Sequence, residues 1–359
     1  MISNEVIMER NIENESFDCI GTIRVNTENK YIITILRIAE KFGQLTPENL
    51  RNNLLPNQPI TMAENIIKNY QALGFIGDTG NLTSLGEMAI KGDVYMPEQG
   101  EYTICATSDS LVNNAIIKIY RIKRNENKEK TIQKPEILKG VEWRPILVLL
   151  GGQKEKVIVE SIDNKVQKSK SKENFSIEVR SNYTRSNVIL KEGGKSQFEF
   201  QNNRLKIDDV WSAVTKNNGL KWTGDALQYG FALLPYGKTN ANERSSFSMN
   251  LPEMTLNLNE FGNLKAKRIT VKIQPSSQKD ADIWAQDVIL DRIVDFISED
   301  KFMHISEEVK KKFETYTPRI PERDEMVKAL YSKSVDSGKA LPKGYWYLQA
   351  PVDLSMEEE

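Results

Sequence analysis

The chain has 359 residues, 39% hydrophobic and 28% charged, a balance that suits two or three folded domains and excludes global disorder. Against 49 basic residues stand 50 acidic ones, a formal charge of −1, so any hold on a polyanion must come from a local patch. Two distant cysteines, Cys19 and Cys105, and one histidine, His304, exclude a disulfide framework and a Cys- or His-rich metal site, so no cofactor is expected.

Taken in chain order, residues 1–30 are polar with short apolar alternations (Phe17, Ile20, Ile23, Val25) and predict an N-terminal arm that packs late. Neither they nor any later run predicts a leader or a membrane span. The longest strongly apolar stretch, Ile146–Leu150, is far below the roughly 20 residues needed to cross a bilayer, and a cytoplasmic protein is expected.

Residues 31–92 carry helical periodicity. Ile32, Ile35, Leu36, Ile38, Ala39 and Phe42 form one stripe, stopped by Gly43. Thr46 and Pro47 open a second, shorter helix, the threonine as cap and the proline in the first turn, where its missing N–H costs nothing. Thr61-Met-Ala-Glu64 reads as a capping box for a third helix that buries Ala63, Ile66, Ile67, Tyr70 and Leu73. A hairpin follows, Phe75-Ile76 and Leu82-Thr83 around Gly77–Asn81, and Ser84-Leu-Gly-Glu87 reads as a second capping box.

This order, with Ala72-Leu-Gly-Phe-Ile76 and Leu82-Thr-Ser-Leu-Gly86, resembles the passage from third helix to wing in the winged-helix superfamily, over about a sixth of the chain. The resemblance implies a third helix in a DNA major groove and a wing against the backbone. The reading residues would be Asn65, Lys68, Asn69 and Gln71, with Thr79 and Asn81 at the wing tip; Asn and Gln suit adenine edges. Within 31–92 five basic residues face five acidic ones, so this module by itself supplies little phosphate attraction.

Residues 94–275 are dominated by period-2 runs, among them Glu101–Cys105, Ile116–Ile122, Ile146–Leu150, Lys156–Ile162, Phe175–Val179, Gln197–Phe200 and Arg268–Ile273. They predict a mostly antiparallel β-rich domain, or two with a break near 165–172. Two basic loops in it are candidates to hold a nucleic-acid backbone. One contains Lys118, Arg121, Lys123, Arg124, Lys128 and Lys130, with Tyr120 as a stacking surface; the other contains Lys165, Lys168, Lys170 and Lys172. Glu160, Asp163 and Lys165 also present an acid-x-Lys arrangement, which would suit a Mg²⁺-dependent nuclease.

Helical spacing returns over 281–335. One helix opens at Asp282 and buries Ile283, Trp284, Val288, Ile293 and Phe296; a second starts at Ser306 and a third after Pro321. An acidic stripe, Asp287, Asp291, Asp295 and Glu299, lies along the first. The tail, 336–359, holds Tyr345, Trp346 and Tyr347, which must either pack back on the body or dock on a partner.

The fold class expected is α+β: an N-terminal winged helix, a central β-rich domain and a C-terminal helical region. The expected function is a non-enzymatic bacterial nucleic-acid-binding protein, either a regulator or the DNA-contacting subunit of a larger complex. The alternative is a scaffold subunit of a multi-protein assembly, such as an anti-phage defence complex, with the nuclease a distant third.

Overall fold

The computed structural model describes residues 4–112, 115–122, 131–169, 173–182, 184–224 and 230–349, a mixed α+β chain. It opens on strands β1 (Glu5–Asn11) and β2 (Glu15–Thr27), continues through helices α1 (Lys30–Phe42), α2 (Pro47–Leu54), α3 (Ile60–Ala72) and α4 (Ser84–Ile90), and then enters strands β3 (Val94–Ala106) and β4 (Ile116–Arg121). Strands β5 (Thr131–Gln133), β6 (Pro145–Leu150), β7 (Gln153–Ile162) and β8 (Lys165–Lys168) follow, then β9 (Phe175–Ser181), β10 (Ser186–Glu192), β11 (Lys195–Gln201) and β12 (Lys221–Thr223).

Two compact units form: Asn11–Ile177 with Ile189–Phe200, and Met1–Arg10 with Glu178–Val188 and Gln201–Glu359. The expected N-terminal arm is therefore corrected. Residues 5–27 are two strands, β1 belonging to one unit and β2 to the other. The expected break near 165–172 is also displaced, because β8 pairs with β2 through Phe17↔Lys168 and Asp18↔Gln167.

In the first of these units β2, β3, β4, β6 and β7 close into a five-stranded barrel, since β2 pairs with both β3 and β7. Five strands cannot alternate in direction all the way round a ring, and the odd pair is β4·β6, which is parallel. Phe17, Cys19 and Ile23 of β2 point inward at every second residue with Tyr102, Ile104, Ile119, Val148, Val157 and Val159, the period-2 pattern visible in the sequence. Gly21 interrupts that row because a Cβ there would lie 2.4 Å from the Ser161 carbonyl oxygen, and the β2·β7 register shifts beside it.

Strands β2 and β3 match residue for residue from Glu15↔Ala106 to Thr27↔Val94. Residues 28–93 replace the turn of that hairpin, so the four helices are an insert whose two ends meet. Local chemistry explains their limits. The Asn29 side chain accepts from the N–H groups of Tyr31 and Ile32, Gly43 ends α1 at φ 80°, and Thr46 Oγ1 accepts from Asn49 N–H. The two expected capping boxes are each displaced: α3 begins at Ile60 behind Pro59 with no side-chain cap, and Thr83, not Ser84, caps α4 by accepting from Gly86 N–H.

Between α3 and α4 a bridge joins Ile76 to Leu82 around a turn in which Gly80 sits at φ 83° against Leu45. Leu36, Leu50, Ala63, Tyr70, Phe75, Ile76 and Ala89 form the insert's core, which continues into Tyr95 of β3 and Ile158 of β7.

The other unit is built on β16 (Asn263–Pro275), which pairs with β1 and with the short strands β14 (Ser248–Leu251) and β15 (Met254–Asn257), and in parallel with β13 (Phe231–Leu234). Region 94–275 is not uniformly β: α5 (Ile207–Asn218) buries Val210, Trp211 and Val214, and α6 (Ala241–Ser246) carries a complete capping box.

The C-terminal helices are α7 (Gln278–Arg292), α8 (Glu299–Lys310), α9 (Arg323–Ser337) and α10 (Lys343–Leu348). The expected starts at Asp282 and Ser306 are corrected to Ser277 and Ser298 as caps, Ser306 being buried inside α8. Phe296, expected in the core, is exposed. Among the described residues, no helix is long and apolar enough to cross a membrane.

Candidate interaction surfaces

On α3 the side buried in the insert's core leaves Asn65, Lys68 and Asn69 exposed, and their i, i+3, i+4 spacing puts them on one face. Gln71 is not free to read a base. Its Nε2 donates to the carbonyls of Asp78 (3.2 Å) and Gly77 (3.4 Å), so it braces the turn where Thr79 and Asn81 are exposed. Asn65, Lys68 and Asn69 thus form a small polar face with a single cation, Lys68, that has no ion pair among the described residues.

The basic residues of the barrel are differently placed. Lys118 of β4 is largely buried between Glu173 (3.3 Å) and Glu192 (2.5 Å), its ammonium 5.5 Å from the Tyr120 ring. Burial alone would lower this lysine, yet the hydrogen bond to Glu192 and the two negative charges hold its pKa above the ordinary lysine value. The Tyr120 hydroxyl lies 3.5 Å from Glu173, so the ring proposed to stack a base is held in the same cluster.

Arg121 pairs with Glu98 and Lys168 with Glu15. Lys165, at the start of β8, is exposed with no ion pair among the described residues. Lys123, Arg124, Lys128, Lys130, Lys170 and Lys172 lie outside the described residues.

Glu160 is the partner of a residue that the sequence did not single out. Arg24 of β2 is only 3% exposed; its Nε donates to Glu160 Oε2 at 2.7 Å, and its Nη1 donates to the Leu73 carbonyl at 2.6 Å. The guanidinium also lies 5.7 Å from the centre of the Trp143 ring. This arginine ties the C-terminal end of α3 to the barrel wall, and it spends the carboxylate that a Glu160–Asp163–Lys165 metal site would need. No group of three or more His, Cys, Asp or Glu side chains suited to a metal occurs among the described residues. In sequence Arg24 falls between Ile23 and Val25 in the segment expected to be an N-terminal arm, and nothing there singles it out.

In the other unit the acidic stripe is taken up internally. Asp287 accepts from the Tyr236 hydroxyl (2.6 Å) and pairs with Arg244 (2.8 Å), Asp291 accepts from Ser245 Oγ (2.7 Å), and Glu299 pairs with Arg323 (3.0 Å). His304 lies midway along α8, exposed, 3.3 Å from Glu308.

The aromatic trio folds back as α10. Tyr345 is buried against Tyr331 (ring centres 6.2 Å) and Trp346 (5.2 Å), while Tyr347 meets Phe296 edge-on at 5.4 Å. Three of the aromatics in these contacts stay more than half exposed: Phe296 at 58%, Tyr331 at 52% and Trp346 at 54%. No family model, curated protein or solved structure matches the chain.

Proposed function

We propose that residues 31–92 are a winged-helix module and that the chain is a non-catalytic subunit of a multi-protein assembly, docked chiefly through protein contacts. The observation that carries this reading is the aromatic surface of the C-terminal helices, where Phe296, Tyr331 and Trp346 stay more than half exposed beside Tyr345 and Tyr347. Apolar surface of this kind is costly to leave wet and marks a docking site. The ion pairs of Lys118, Arg121 and Lys168 support the same choice, because a cation already matched by carboxylates releases few phosphate counterions.

The order of α1, α2, α3, the Ile76–Leu82 bridge and α4 supports the winged-helix assignment. The test is co-purification of the tagged full-length chain from its native cells at low and high salt, with Trp346→Asp and Tyr331→Asp beside the native sequence. A stoichiometric protein partner that survives high salt and is lost in both variants is expected. Unchanged recovery of the partner in both variants sinks the reading.

A second reading, nucleic-acid binding by the insert, is favoured by one observation: Asn65, Lys68 and Asn69 are together and unspent on α3. It requires a duplex mobility shift that weakens steeply with salt and is lost in Lys68→Glu.

A further inference from the structure

A cleft of about 380 Å³ opens where the β3–β4 connection meets the segment leading into β6. Ser108, Ile116, Ile137, Lys139, Arg144 and Ile146 line it, and all belong to the barrel unit. That volume lies within the range of small-ligand sites, which combine apolar walls with a few polar groups that set orientation.

The charges in the cleft do not cancel. Lys139 Nζ is bonded to Glu136 at 2.5 Å, so that pair is satisfied internally. Arg144 has no carboxylate partner among the described residues. It stands in contrast to Lys118, Arg121, Lys134 and Lys168 of the same unit, each matched by a glutamate.

The backbone holds Arg144 there at a cost. Trp143, the residue before it, sits at φ 63°, a left-handed conformation that a bulky side chain rarely adopts. Its N–H donates to the Val159 carbonyl at 2.8 Å and its ring lies beside the Arg24 guanidinium, so the bend is secured from two sides. The bend places Trp143 against the Arg24 tie and leaves the next residue, Arg144, in the cleft wall.

We propose that this end of the barrel binds a small amphiphilic anion. Its carboxylate or phosphate is held by the Arg144 guanidinium, whose planar fork suits either group, and its apolar body lies over Ile137, the one of the three lining isoleucines that is only partly buried. The site is independent of the docking surface proposed above.

Isothermal titration of the full chain with octanoate, octyl phosphate and 1-octanol tests this, beside Arg144→Gln and Ser108→Trp, the latter filling the cleft from an exposed position. Both replaced side chains are exposed, so both variants should melt like the native protein. Saturable binding of at least one of the two anions is expected, weaker by about tenfold or more in Arg144→Gln and abolished in Ser108→Trp, with octanol much weaker. A preference between octanoate and octyl phosphate distinguishes a carboxylate ligand from a phosphate one. Absence of saturation with both anions overturns the proposal, as does equal affinity in the native chain and Arg144→Gln.

Discussion

The exposed face of α3 in the helical insert and the barrel that carries the insert leave their cations in opposite circumstances. On α3, Lys68 is exposed among two asparagines and makes no ion pair among the described residues. On the barrel, Lys118, Arg121 and Lys168 each meet a glutamate brought across from another part of the chain. A closed sheet sets residues distant in sequence side by side, so its outer face can be neutralised by partners that no local window contains. A helix finds its neighbours three or four residues away. Of the basic stretch from Lys118 to Lys130 the two described cations, Lys118 and Arg121, are both paired, so a run of basic residues is by itself a poor guide to free positive surface, whereas the modest charge of α3 is close to what a ligand would meet.

The joint between the two regions is the most sensitive place to break this contrast. Arg24→Ala leaves Glu160 and the Leu73 carbonyl without their donor in a mostly dry junction, and a loss of about 3–5 kcal/mol is expected in urea denaturation. Amide exchange over residues 70–76 should accelerate with it. A cost below about 1 kcal/mol would show that the insert is not fastened through this arginine.

Within the insert, Gly86 allows α4 to press on Phe75, just beyond the end of α3. A Cβ there would lie 2.2 Å from the Phe75 carbonyl oxygen, so Gly86→Ala should cost about 1–3 kcal/mol despite improving helix propensity. If the alanine protein melts as high as the native one, the packing of α4 on Phe75 has been misjudged.

On the barrel, Lys118→Met leaves Glu173 and Glu192 facing one another without a cation. A loss of about 1–2 kcal/mol is expected, recovered in part when Glu192→Gln is added. Because the folded lysine titrates above its ordinary value of 10.5, this contribution is intact at neutral pH and disappears as pH rises through the folded pKa. Glu142 gives the opposite limb. Burial pushes its carboxyl up, but the Lys134 hydrogen bond and backbone N–H groups pull it below 4.5; its contribution is present above that value and fades as pH falls through the lower, folded one. A denaturation midpoint that falls less steeply in acid once Glu142→Gln is made than in the native protein is the expected pair of curves, the residual slope coming from other lowered carboxyls such as Asp280.

The smallest effect belongs to α3. Lys68→Glu should leave stability within about 0.5 kcal/mol of native, since the side chain has no partner to lose. A larger change would mean that the exposed face of α3 is less independent than its surroundings suggest.

How much was legible varied with the kind of signal. Gly43, at a left-handed φ, and Thr46, which accepts from a backbone N–H three residues on, act locally, so the end of α1 and the start of α2 were legible in the sequence. Asn29 caps α1 by the same short-range chemistry but lay in the segment expected to be an arm. Even there the cap could slip by a residue, as Thr83 in place of Ser84 shows. The strand runs of 94–275 were legible as strands, but their allocation to two units was not, because alternation states which residues face inward and says nothing about which sheet they join. Helix α5 was hidden by its setting between strands, although Val210, Trp211 and Val214 carry helical spacing.

For the candidate sites, exposure at Asn65, Lys68 and Asn69 follows from periodicity alone. The fates of Lys118, Arg121, Glu160 and Gln71 depended on Glu192, Glu98, Arg24 and the turn at Gly77–Asp78.

The basic stretches from which a nucleic-acid surface was expected draw the same boundary. Sequence by itself determined composition, period and caps, because these act through the backbone over a turn of helix or a step of strand. Tertiary structure alone decided that the four helices sit in the turn of a barrel hairpin, and that the barrel's described lysines and arginines are mostly spent. A charge is free or consumed according to what stands within a few ångströms of it, and in a closed sheet that neighbour can come from a segment far away in sequence.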